Sequence, residues 1–302
     1  TGETYDESIH PGVIDPHVFF DESDNLWMVY GSYSGGIFII ELDPSTGYPL
    51  PDQGYGTRIA GGDHAPMEGP NIHYSSETGY YYLFLSFGTL DTEGGYNIRV
   101  ARSENPDGPY YDPSGNNMLE ATGDDWDAVE RYGAKLIGNF EFSDSNIDYV
   151  SPGHNSVLMG DKNYIFFHTR FNDGTEDHEV RVHQLYMNSE GWPVIAPHRY
   201  GGETIQSYSD GEIAGSYQLI NHGKEISSNI NSSITIELSS DGNIAGDASG
   251  NWSRNGNDIE LTIDGTTYNG ILTHNWDDGL QNWVITFSAL SQDGVTIWGS
   301  QK

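Results

Sequence analysis

The run Ile14-Asp15-Pro16-His17-Val18-Phe19-Phe20, the turn Asp21-Glu22-Ser23-Asp24-Asn25 and the run Leu26-Trp27-Met28-Val29-Tyr30-Gly31-Ser32 decide the fold. A polar residue beside proline opens an alternating strand, an acidic turn reverses the chain, and an aromatic second strand follows. Gly36-Ile37-Phe38-Ile39-Ile40-Glu41-Leu42 adds a third strand. The same order returns at Met67-Glu68-Gly69-Pro70-Asn71-Ile72-His73-Tyr74, with further strands expected at 80–87 and 97–103. It returns again at Ser151-Pro152-Gly153-His154-Asn155-Ser156-Val157-Leu158, with strands at 164–168 and 179–185. Units of about 40–50 residues built from short strands are the pattern of a β-propeller. The step from Glu68 to His154 is longer than that from Asp15 to Glu68, and the excess lies in the loop-rich stretch 112–149. Helical periodicity is absent, apart from one turn expected at Trp126 to Arg131.

Beyond Trp192-Pro193-Val194 the texture changes. Residues 201–211 (GGETIQSYSDG) are polar and glycine-rich and read as a connection. Short alternating strands follow at 215–220, 233–238, 258–264, 283–287 and 295–298, punctuated by Asp-Gly turns at 241–242 and 264–265. The expected organisation is all-β: propeller blades over 1–204, a linker over 205–212, and an accessory β-barrel or sandwich over 213–302.

Composition agrees and narrows the function. In 302 residues, 38 glycines with 20 Tyr, 11 Phe and 7 Trp suit a folded, turn-rich β protein. With 45 acidic against 12 basic residues and a net charge of −33, a nucleic-acid partner is not expected, because phosphate binding needs Lys and Arg. No apolar run reaches transmembrane length, so no membrane span is expected. The absence of cysteine excludes a disulfide scaffold, a thiolate metal site and a Cys nucleophile. The acidity suits adaptation to high salt and a generally acidic extracellular enzyme equally well. Thr1 to Asp6 carry neither a basic n-region nor an apolar h-region, so no signal peptide is read in these residues.

Asp15, Glu68 and His154 occupy equivalent places in the three repeats. In a propeller the innermost strand of each blade lines the central channel, so blade openings far apart in sequence converge at one end of it. Singly, each residue has an ordinary explanation: an Asp-Pro turn, a solvated turn carboxylate, a hydrogen-bonded histidine. Turn chemistry does not explain why three different polar types recur at one register. An Asp, a Glu and a His around one cavity can serve as acid, base or metal site.

These residues carry a family resemblance. Ile14-Asp15-Pro16 followed by GSYSGGIFIIELD (31–43), Met67-Glu68-Gly69-Pro70-Asn71-Ile72, YNIRVARS (96–103) and SPGHNSV (151–157) together resemble glycoside hydrolase family 43. The similarity is to its α-1,5-L-arabinanase branch, whose members carry a C-terminal β domain; FFHTRF to WPV (166–194) resembles that branch too. The resemblance implies a five-bladed propeller that hydrolyses arabinan or arabino-oligosaccharides with inversion, using three carboxylates. On that resemblance Glu68 matches the general acid, and Asp15 the carboxylate that orients it and raises its pKa. His154 matches the histidine that reaches calcium through a shell otherwise filled by water. It also implies an extracellular, secreted and bacterial enzyme. Ser32, Tyr33 and Ser34 follow the second strand of their blade and are expected to contact the sugar.

The family's third carboxylate, the base that activates water, belongs to an early blade and has no counterpart here: Asp6 precedes Glu7-Ser8, and Asp15 is already assigned. An inverting mechanism needs that base about 6.5–9.5 Å from the acid, on the far face of the sugar. Three blades are countable in 1–212, so the chain is expected to be the C-terminal part of a larger enzyme. Its N-terminal fragment is expected to stay bound as a second polypeptide. Two alternatives stay open: a catalytically inactive carbohydrate-binding propeller, and a related xylosidase or arabinofuranosidase. Fructan-active relatives carry Arg-Asp-Pro where this chain has Ile14-Asp15-Pro16, which weighs against them.

Overall fold

The computed structural model describes residues 4–144 and 148–302. Its first sheet runs antiparallel through β1 (His17–Phe20), β2 (Leu26–Ser32), β3 (Gly36–Leu42) and β4 (Thr57–Ala60). The first strand begins at His17 rather than Ile14, because Asp15 adopts φ +55 immediately before Pro16 and turns the chain out of the extended region. The short β4 was not expected from sequence; only Ile59 and Ala60 of it are buried, so no alternation marks it.

The second sheet is β5 (Met67–Ser75), β6 (Tyr80–Phe87), β7 (Asn97–Ser103) and β8 (Ala134–Ile137). The excursion between β7 and β8 holds the single turn α1 (Trp126–Val129), and β8 emerges from the stretch expected to be loop. The third sheet comprises β9 (Phe140–Glu141), β10 (Tyr149–Leu158), β11 (Asn163–Phe171), β12 (His178–Met187) and β13 (Pro193–Ile195).

Period-two alternation on β6 explains how the sheets stack. Tyr81, Leu83 and Leu85 face the first sheet and pack with Val29, Ile37 and Ile39. Tyr82 and Phe84 face the other way and pack with Val157, Ile165 and Phe167 of the third sheet. The inner strands stand side by side: β5 packs on β1 and β2, and β10 packs on β5.

The chain then passes through residues 196–209 into a turn of helix, α2 (Asp210–Ile213), which spans the end of the expected linker. Ser209 and Glu212 close a capping box at its start, satisfying backbone N–H groups that would otherwise lack partners. Next come β14 (Gly215–Asn221), β15 (Asn231–Ser232), β16 (Ile234–Leu238), β17 (Asn243–Gly246) and β18 (Gly250–Asn255). The last strands are β19 (Asp258–Ile263), β20 (Thr266–Asp277), β21 (Asn282–Ser291) and β22 (Thr296–Gln301). All but β15 form one closed barrel in which β22 pairs back onto β14, so the choice between barrel and sandwich falls to the barrel. Asp264 (φ 49) and Gly265 (φ 90) make the two-residue left-handed turn expected between β19 and β20. β15 leaves the barrel and joins the third sheet, pairing in parallel with β9.

Candidate active site

Three backbone irregularities gather Asp15, Glu68 and His154. Glu68 lies on β5, where the register against β6 slips between Glu68 and Asn71. Gly69 within that slip has φ +61. His154 lies between two register shifts on β10 and itself has φ +50. Such bulges re-aim a side chain that regular pleating would point elsewhere. Left-handed φ at Asp15 and His154 costs roughly 1–3 kcal/mol each, and such strain clusters at functional sites.

The result is a connected cluster. Asp15 Oδ2 accepts a hydrogen bond from the Gly69 N–H at 3.2 Å, and its Oδ1 stands 3.8 Å from His154 Nε2. Glu68 is held at both oxygens: the Tyr96 hydroxyl donates to Oε1 at 2.6 Å and Ser32 Oγ donates to Oε2 at 3.3 Å. The His154 backbone N–H donates to Ser86 Oγ at 2.7 Å, which ties β10 to β6. The Asp15 side chain is 13% exposed and that of His154 is 47% exposed, so the cluster opens to solvent on the histidine side.

Tyr96 is fully buried, and burial, followed by the Glu68 charge, pushes its hydroxyl well above its ordinary pKa. It therefore stays a neutral donor to Glu68. Gly153 makes room for it, since a Cβ there would lie 2.0 Å from Tyr96 Cδ1. Behind His154, the His168 ring stacks at 6.4 Å, and burial with Arg170 nearby holds that imidazole down to about 4.

The structure thus brings Asp15, Glu68, His154 and Ser32 together. The Tyr33 hydroxyl donates to the Gly88 carbonyl; burial, then Glu68, Asp91 and Asp15, raise its pKa. The Ser34 carbonyl accepts from the His64 N–H at 2.9 Å. The sequence assigns no role to Tyr96, although it opens the run YNIRVARS (96–103), or to Ser86, because their partners Glu68 and His154 lie on other strands.

As to the expected calcium, among the described residues no group of three His, Asp or Glu side chains is placed to hold a metal ion. The residues present fit only a cation that takes one nitrogen from His154 and otherwise water, with Asp15 adjacent.

An Asp, Glu and His cluster where three stacked antiparallel sheets meet, followed by a closed barrel, defines a propeller-type protein with an appended β domain. The sequence matches glycosyl hydrolases family 43 over residues 4–193, and a C-terminal lipocalin-like domain of that family over residues 197–299. The chain belongs to glycosyl hydrolases family 43, and its three sheets are blades of the propeller. It is 51% identical to extracellular endo-α-(1→5)-L-arabinanase 2 of Bacillus subtilis over 99% of this chain and 66% of the relative. It superposes on an endo-1,5-α-L-arabinanase from Thermotoga petrophila with a TM-score of 0.96 and 52% identity, over 99% of this chain and 69% of the other. A Cellvibrio cellulosa α-L-arabinanase solved with arabinohexaose aligns at a TM-score of 0.53 and 26% identity, over 64% of this chain and 60% of the other. The chain spans 66% of the length of each of two curated relatives, the Bacillus subtilis protein and an extracellular endo-α-(1→5)-L-arabinanase of Thermotoga petrophila.

Proposed function

We propose that this chain carries the acid half of an inverting arabinan hydrolase, cleaving α-1,5-linked L-arabinofuranosyl bonds outside the cell. The observation that carries this reading is the double restraint on Glu68 by Tyr96 and Ser32, beside Asp15. Because Tyr96 donates to Oε1, the transferable proton belongs on Oε2, on the Ser32 side; a serine hydroxyl can rotate to accept from it. Glu68 gives that proton to the glycosidic oxygen as the bond to the anomeric carbon breaks. Water adds to that carbon from the opposite face and loses its proton to a base. Asp15 orients the acid through the Gly69 amide. Ser32, Tyr33 and Ser34 form the wall against which the sugar rests.

The base is proposed to be an Asp outside these 302 residues. A metal on His154, its other positions filled by water, would fix that side of the site; dialysis against EDTA then lowers activity, calcium restores it, and His154→Ala abolishes the response.

Leaving-group dependence is the decisive test, run on the chain alone and together with the upstream segment of its gene. Glu68→Ala should lose about 10²–10⁴ of kcat/KM on arabino-oligosaccharides. Hydrolysis of a nitrophenyl arabinofuranoside, whose leaving group needs no proton, should fall far less. Equal losses on both substrates would remove Glu68 from the acid role.

A further inference from the structure

A well-formed cleft lies away from the Glu68 site. It encloses about 510 Å³, within the range of roughly 300–1,000 Å³ typical of small-ligand sites. Its walls come from the end of β7 and the loop that follows it, with Tyr80 of β6, the β12–β13 turn of the third blade, and Gln292 of the β21–β22 turn of the barrel. Tyr80, in its lining, is the first residue of β6, whereas Ser86, which holds His154, stands near that strand's other end. Six residues of extended chain put the two about 20 Å apart.

The cleft has a rigid floor. The Arg102 guanidinium lies 4.4 Å from the Tyr80 ring centroid and 4.1 Å from that of Trp192, and its Nη1 donates to the Glu190 and Gly191 carbonyls at 2.9 and 3.0 Å. A cation used in this way by two rings and two carbonyls is poorly placed to recruit an anion. On the rim, Tyr111 is 41% exposed. Glu104, Asn105 and Gln292 stand around it.

We propose that this cleft is a second glycan-binding site, which takes a neutral stretch of polysaccharide away from the bond being cut; on the reading above, that glycan is arabinan. The chemistry is complementary on each count. An exposed tyrosine face suits the C–H face of a sugar ring, in the way aromatic side chains combine an apolar body with a polar tip. The Glu104 carboxylate and the Asn105 amide suit hydroxyl groups that both donate and accept, and Gln292, whose Nε2 donates to the Pro113 carbonyl, adds its amide oxygen. A net charge of −33 disfavours a uronic-acid or phosphate-bearing ligand. The cleft also spans both propeller and barrel, so a bound chain would run across the two.

Affinity electrophoresis in gels containing debranched arabinan, xylan or galactan tests this with the intact protein. Wild type should be retarded by arabinan. Tyr111→Ala and Glu104→Ala should weaken the retardation at least threefold, while kcat/KM on a nitrophenyl arabinofuranoside stays within twofold of wild type. Retardation equal in wild type and both variants overturns the proposal, even if arabinan is hydrolysed. Tyr111-dependent retardation by xylan but not arabinan would keep the second site and overturn arabinan as the substrate. Unchanged melting temperatures show that neither variant acts through misfolding.

Discussion

At the scale of single residues, the site depends on two positions with no chemistry of their own. Tyr96 keeps Glu68 Oε1 in place, and Gly153 leaves the space in which the Tyr96 ring lies. Tyr96→Phe keeps the ring and removes the donor. A hydrogen bond to a charged group contributes about 1.5–3 kcal/mol, so kcat on arabino-oligosaccharides should fall about 10- to 100-fold while KM hardly moves. Steady-state kinetics check this, and an unchanged kcat would show that Tyr96 does not position Glu68 for the proposed reaction. Gly153→Ala must displace the ring, so it should lose activity similarly and also cost about 1–3 kcal/mol of stability through overpacking, read by urea unfolding. Asp15, Glu68 and His154 were legible in the sequence because they recur at one register of a repeat. Tyr96 was not: it reaches Glu68 only once β7 is folded into the sheet with β6 between it and β5.

At the scale of elements, the boundary between blades and barrel is a shared core rather than a hinge. Barrel residues Ile220, Ile271, Leu290 and Trp298 pack in one cluster with Phe140, Val194 and Ile195 of the third blade. β15 extends that blade's sheet, and Lys135 Nζ donates to the Glu225 carbonyl at 2.8 Å. The fully buried Arg99 reaches the carbonyls of Glu130, Tyr132 and Lys224. Calorimetry should therefore show one cooperative unfolding transition for the whole chain, and two separate peaks would refute a common core. Trp298, fully buried with edge contacts to Phe140 and His222, is the strongest lever; Trp298→Ala should cost about 3–5 kcal/mol and lower the single transition as a unit. The sequence showed the long alternating strands of each blade and the Asp-Gly turn at 264–265. It hid β4 and β8, four residues each and placed after long loops, and it hid β20, whose buried face carries Thr273, Asn275 and Asp277 in place of apolar residues. Strands of this kind are fixed by their neighbours, not by their own pattern.

At the scale of the whole molecule, charge and protonation set the working range. His183 and His222 are fully buried, and burial pushes the first down to about 3 and the second well below its ordinary value. Both remain neutral in the folded state while the unfolded chain protonates near pH 6.5, so the stability they lend is present above that pH and is lost as pH falls. Each contributes a slope of about 1.4 kcal/mol per pH unit in this range. Urea unfolding at pH 7, 6 and 5 should show the decline before most carboxylates titrate, and a flat profile would contradict it.

The net charge of −33 makes stability depend on salt, since removing salt strengthens the repulsion among carboxylates. Of the 12 basic residues, Arg99, Lys135 and Arg170 are buried, so the surface is more one-sided than the total implies. Ion pairs such as Arg181–Glu179 and Arg254–Asp210 involve exposed carboxylates, and such pairs contribute about 0–1 kcal/mol each. Repulsion among carboxylates should therefore outweigh the attraction that salt also screens. Raising ionic strength from 0.01 to 1 M shortens the screening length from about 30 to about 3 Å, so the melting temperature should rise by several degrees over that range. Sodium and potassium chloride should act alike, since screening depends on ionic strength rather than on the ion. A rise that continues well beyond 1 M would favour adaptation to high salt, and a plateau below it would favour an acidic extracellular enzyme of ordinary habitat. A melting temperature that falls with salt would mean that the surface ion pairs, not the carboxylate excess, dominate the electrostatics of this protein.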